Sequence, residues 1–151
     1  MSTPSSAHKG INFAELHCLS NYSFLRGASH PEELVERAHE LGYQAIALTD
    51  ECTYSGLVKA HVAAEKLGIK LIVGAEFAFK TSPSGNSVTE KLVLLAPTRS
   101  AYGQLSAFIS ALRRRAKKGS YSAELKDFSF GLKECLALWI PYQRSIDQQV
   151  S

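Results

Sequence analysis

The chain is poor in cysteine: Cys18, Cys52 and Cys135 are odd in number and show no Cys-x-x-Cys spacing. That excludes a disulfide framework and suits reduced thiols in a cytosolic protein. No apolar run approaches the length of a membrane span. Met1 to Gly10 is rich in serine, contains a proline and lacks an apolar segment, so it reads as a floppy tail and not a secretory signal. Neither common type of glycine-rich phosphate loop occurs, and there is no internal repeat or low-complexity tract. A large excess of one charge is missing as well. The net charge of +3 does not argue nucleic-acid binding by itself.

What is present is the composition of a soluble globular domain. The 151 residues are 45% apolar and 21% charged, enough for one domain with a real core. The positive charge is unevenly placed, with Arg113, Arg114, Arg115, Lys117 and Lys118 in one block.

Short apolar runs alternate with helix-like segments. Phe13 to Cys18 reads as a first strand, Ala45 to Leu48 as a second and Leu71 to Phe79 as a third. Leu92 to Ala96 and Cys135 to Ile140 complete the set, the last stopped by Pro141. Ser29 with Glu32 fits a capping box, and Pro31 is tolerated in a first helical turn. Leu34, Val35, Ala38 and Leu41 give that helix one apolar face, and Gly42 is a natural stop. A second helix spans Gly56 to Leu67, with Leu57, Ala60, Ala64 and Leu67 inward and Gly68 closing it. A turn-rich stretch, Ser82 to Ser87, separates the third and fourth strands. A long helix from Ala101 to Ala116 turns Leu105, Phe108, Ile109 and Leu112 to one side. This alternation predicts a mainly parallel sheet, because parallel neighbours need crossover connections. Periodicity alone leaves open whether that sheet is doubly wound or a complete or partial barrel. Both place functional residues at the C-terminal ends of strands.

His17, Asp50 and Glu76 each fall at or near such an end. Imidazole with carboxylates is a reasonable ligand set for zinc, manganese or iron, which activate water for phosphoester hydrolysis. The same residues also fit structural roles: a satisfied, partly buried histidine, a helix-capping aspartate and a paired glutamate. His30, His39 and His61 suit structural positions, His61 near the inward face of its helix. The basic block could contact phosphates, or be a solvated helix end that favours the macrodipole.

The segment Glu15-Leu16-His17-Cys18-Leu19-Ser20-Asn21-Tyr22-Ser23-Phe24-Leu25-Arg26-Gly27-Ala28-Ser29-His30-Pro31-Glu32-Glu33-Leu34 resembles the opening of the polymerase-and-histidinol-phosphatase (PHP) domain. It is most similar to the version in bacterial C-family DNA polymerases, the DNA polymerase III alpha subunits, and within them to the error-prone branch. Ala47-Leu48-Thr49-Asp50-Glu51, Gly74-Ala75-Glu76-Phe77 and Lys91-Leu92-Val93-Leu94-Leu95-Ala96 follow in the family's order. The resemblance implies an α/β fold, a partial, distorted TIM-like (β/α)7 barrel with about five of its strands present. It also implies domain bounds: a disordered tail over 1–11, a truncated PHP domain over 12–141 and a C-terminal tail over 142–151.

The resemblance further implies a metal cluster at one rim, and the chain departs from it. The family's first motif has the form His-x-His-x-x-x-Ser; His17 and Ser23 match, but Leu19 replaces the second histidine. Asp50 is retained, Glu51 stands where histidine is usual, and Glu76 matches the metal-bridging glutamate. Lys91 occupies another frequent histidine position. Leucine cannot coordinate, and a lysine ammonium repels a cation. The implied site is therefore a remnant of His17, Asp50, Glu51 and Glu76, holding no metal or one weakly bound zinc, manganese or magnesium ion. Three functions follow. The first is a noncatalytic PHP segment of an error-prone polymerase in replication and translesion repair, partnered by DNA and the polymerase core. The second is a metal-dependent phosphoesterase or 3′–5′ exonuclease. The third is a stand-alone interaction module using Arg113, Arg114, Arg115, Lys117 and Lys118 for nucleic acid. An unclosed barrel edge also suggests a homo-oligomer, and the family is cytoplasmic with no membrane partner.

Overall fold

The computed structural model describes residues 12–81, 88–129 and 131–141. The tails expected over 1–11 and 142–151 and the turn over 82–87 lie outside the described residues. The elements run β1 (Ala14–Cys18), α1 (Pro31–Glu40), β2 (Ala45–Leu48), α2 (Leu57–Leu67), β3 (Lys70–Thr81), β4 (Val88–Ala96), α3 (Arg99–Arg114), a 3-10 turn (Leu125–Ser129) and β5 (Leu136–Ile140). They form one five-stranded sheet in sequential order, a half-barrel with helices packed on one face.

The expectation of a mainly parallel sheet is corrected. β1, β2 and β3 pair in parallel, as their helical crossovers permit, but β3–β4 and β4–β5 are antiparallel, the latter despite α3 between them. Only six residues separate β3 from β4 in the sequence. A short connection rich in Ser, Pro, Gly and Asn can join only antiparallel neighbours, which is a hairpin signal.

Helix limits follow their caps. The N-cap of α1 is His30, one residue beyond the expected Ser29, because Pro31 takes the first helical position; His30 N donates to Glu33 Oε2 at 2.7 Å. Gly42, at φ 73°, ends the helix: its N–H reaches His39 O, and that of Tyr43 reaches Ala38 O. α3 begins two residues earlier than its apolar pattern because the Thr98 hydroxyl accepts from Ala101 N. His61 is exposed on α2.

Strand alternation sorts the core into two layers. Ile46 and Leu48 of β2 pack with Val35 and Ala38 of α1 and Ala60 and Ala64 of α2. Ala75, Phe77 and Leu94 pack under Leu105, Ile109 and Leu112 of α3, with Phe108 and Phe128 edge-on to Phe77. The opposite face carries Ala47, Val93 and Leu95, against partly buried Ile72, Leu138 and Ile140. Glu76 pairs with Val93 across β3–β4, which puts its side chain on that second face.

Candidate functional site

The site forms where β1 and β2 end beside the middle of β3. Past Leu48 the chain stays close to β3: Glu76 N donates to Thr49 O at 3.2 Å and to Asp50 O at 3.3 Å, and Cys52 N donates to Glu76 O at 2.9 Å. The resulting bridge sets Glu51 beside Glu76.

Glu76 is fully buried, and a buried carboxylate needs partners. It has three. His17 Nε2 donates to Oε2 at 2.8 Å, Arg26 donates to both oxygens (Nη2 to Oε2 at 3.2 Å), and Lys91 Nζ lies 3.7 Å from Oε2. Burial alone would raise the Glu76 carboxyl. The hydrogen bonds from His17 and Arg26, with the charges of Arg26 and Lys91, outweigh burial and bring it down to about 2. Arg26 is correspondingly raised, chiefly by its hydrogen bond to Glu76.

Glu51 completes the cluster. Its Oε2 accepts from Arg26 Nη1 at 2.9 Å and its Oε1 from the Tyr121 hydroxyl at 2.8 Å. That hydroxyl in turn accepts from Ala78 N at 2.7 Å. Asp50, one residue earlier, points elsewhere. Its Oδ1 accepts from Ser20 N at 2.8 Å and Ser23 Oγ at 2.7 Å, and its Oδ2 from Ser20 Oγ at 2.6 Å. Ser23 Oγ also accepts from Glu51 N at 2.9 Å, linking the two groups. Of the four residues singled out by sequence, His17, Glu51 and Glu76 thus converge around Arg26, while Asp50 clamps the loop after β1.

The basic block does not present five equivalent charges. Arg113 turns inward, with Nε donating to Cys52 O at 2.7 Å and Nη2 to Glu51 O at 3.4 Å. Arg115 pairs with Asp127 and donates to Ser122 O. Arg114, Lys117 and Lys118 are exposed.

Sequence reasoning passed over Arg26, Ser20 and Tyr121. Arg26 and Ser20 stand inside the segment that carries the family resemblance. The usable signal was the isolated Glu76 in an apolar strand, which demands a cation from elsewhere in the chain.

The donor set does not fit a divalent metal as arranged. Every carboxylate oxygen of Asp50, Glu51 and Glu76 already accepts from a protein donor. What stands against an ion here is charge, because the Arg26 guanidinium and the Lys91 ammonium already face Glu76. Among the described residues no group of three or more His, Cys, Asp or Glu is disposed to hold an ion.

The family profile described as "PHP domain" matches residues 15–140. The chain belongs to the PHP domain family. Its PHP domain is 51% identical over 132 residues to an error-prone DNA polymerase of Saccharophagus degradans, covering 87% of the chain. It is 55% identical over 129 residues to that of Teredinibacter turnerae, covering 85%. In both comparisons the chain spans only 12% of the relative's length. The resemblance to the error-prone branch is therefore borne out. Among solved structures, a protein assigned as a metal-dependent phosphoesterase from Bifidobacterium adolescentis is similar at TM-score 0.54 and 26% identity, over 67% of this chain and 33% of that one. An amidohydrolase from Chromobacterium violaceum is similar at TM-score 0.53 and 29% identity, over the same shares of the two chains. These likenesses agree with the partial α/β barrel. No helix among the described residues is long and apolar enough to cross a membrane.

Proposed function

We propose that this PHP domain serves an error-prone DNA polymerase as a structural module, supporting the polymerase core in DNA replication and translesion repair without hydrolysing phosphoesters. One observation carries this: the Arg26 guanidinium lies between Glu51 and Glu76, hydrogen-bonded to both, with Lys91 as a second cation beside Glu76. A weakly held zinc, manganese or magnesium ion at His17, Asp50, Glu51 and Glu76 would have to displace Arg26 from Glu76. Among the described residues β5 is the last strand of the sheet, and its Leu136, 58% exposed, and Trp139, 65% exposed, support contact with further polypeptide. That is the polymerase core in a longer parent, or a second copy of this chain in a homo-oligomer. The parent works on DNA in the cytoplasm. Contact of Arg114, Lys117 and Lys118 with the nucleic-acid backbone is the sequence-independent part of that partnership.

The likeness to a metal-dependent phosphoesterase supports a second reading, a phosphoesterase or 3′–5′ exonuclease using His17, Asp50 and Glu76. The purified chain, incubated with p-nitrophenyl phosphate and with a 5′-labelled oligonucleotide in zinc or manganese, separates the two. The structural module releases neither nitrophenol nor nucleotides. Hydrolysis that disappears in His17→Ala would establish the enzyme instead.

A further inference from the structure

We infer that the Arg26 guanidinium is the resident cation of this site, standing where a divalent ion would bind and fastening the loop after β1 over β3. The inference deepens the non-hydrolytic reading and rests on it.

Geometry comes first. Arg26 Nη1 touches both Glu51 Oε2 and Glu76 Oε1, while Nη2 reaches Glu76 Oε2. One planar fork thus spans two carboxylates, one just past β2 and one within β3, which a guanidinium does well and an ammonium does not. The position between Glu51 and Glu76 is the one a bridging ion would need. His17 Nε2, the nitrogen available as a ligand, is turned to the same Glu76 oxygen.

Charge counting agrees. Two formal negative charges, Glu51 and Glu76, face two formal positive charges, Arg26 and Lys91. Arg26 and Lys91 balance Glu51 and Glu76, so a divalent ion placed between those two carboxylates would meet two cations already there.

The loop is built to deliver Arg26. Ser20 and Ser23, both buried, tie it to Asp50, and Arg26 N donates to Ser23 O at 2.9 Å. Leu25, just before Arg26, sits at φ 61°, a left-handed conformation uncommon for such a residue. Gly27 follows, where an added Cβ would lie 2.0 Å from Ser20 O. A turn held at both ends, with one strained residue, places the guanidinium with little freedom to leave.

The test follows thermal melting of the full chain and its Arg26→Ala and Arg26→Lys variants, each in EDTA and in excess zinc or manganese. Wild type is expected to melt at the same temperature in all three media. Arg26→Ala should melt about 5 °C or more lower in EDTA, and a divalent ion should recover at least half of that loss. Arg26→Lys, with the charge but without the fork, should lie between them and ignore metal; it also serves if Arg26→Ala does not fold. An Arg26→Ala variant that melts like wild type refutes the role of Arg26 and leaves the non-hydrolytic reading standing. A wild-type chain that EDTA destabilises and metal restores overturns the inference, and nitrophenol release by that same chain overturns the reading with it.

Discussion

Ser20 donates its hydroxyl to Asp50 Oδ2 at 2.6 Å, joining the loop after β1 to the end of β2. The pair is buried, and Ser23 and the Ser20 amide fill the other oxygen. Hydrogen bonds to a charged group are worth about 1.5–3 kcal/mol each, and a buried donor left unpaired carries its full desolvation penalty. Asp50→Asn leaves one acceptor oxygen where three donors converge, so it should cost about 2–4 kcal/mol in urea unfolding. Loss of an enzymatic activity with unchanged stability would assign Asp50 a different role.

Acid should release the Glu76 cluster. Its carboxyl titrates at about 2 in the folded chain against an ordinary value of 4.5, so the stability it contributes is fully present above pH 4.5 and is lost as pH falls towards 2. At about 1.4 kcal/mol for each tenfold change in proton affinity, that is roughly 3 kcal/mol. Unfolding free energy measured between pH 6 and pH 2 should decline over that window. Glu76→Gln should be less stable at pH 6 and show a flatter decline.

Gly27 should tolerate no side chain. A Cβ would meet the Ser20 carbonyl oxygen at 2.0 Å, and backbone, unlike the tip of a flexible chain, cannot step aside. Gly27→Ala should therefore shift the loop that carries Arg26 and cost about 1–3 kcal/mol, the usual range for overpacking. Chemical-shift changes at Glu51 and Glu76 amides, far away in sequence, would report the loss of the Arg26 contacts.

The basic block should split in two. Arg113 satisfies backbone carbonyls of Cys52 and Glu51, so Arg113→Ala should lower the melting temperature by several degrees. Lys117→Glu with Lys118→Glu should leave melting unchanged, since both side chains are exposed. If that double variant also leaves the salt dependence of DNA binding by a parent polymerase unaltered, the block has no phosphate contacts.

Much of this was legible in the sequence, for identifiable reasons. Gly42 and Gly68 end their helices as read, whereas of the His17, Asp50 and Glu76 expected together at strand ends, Asp50 turns to Ser20 and Ser23. The antiparallel β3–β4 pair was missed because alternation was extended across a connection too short for a crossover. Arg26 was missed for another reason. Its partners lie 25 and 50 positions away, and no local pattern announces which cation a buried carboxylate will recruit. The family resemblance implies lost metal ligands at Leu19, Glu51 and Lys91, but only the fold brings Arg26 and Lys91 to Glu76.

The most direct measurement is an anomalous difference map at the zinc edge from crystals of the chain grown with zinc. The account predicts no peak between Glu51 and Glu76, with the Arg26 guanidinium in density there. A peak about 2.0–2.2 Å from His17 Nε2 and Glu76 oxygens, with Arg26 swung out, would contradict it.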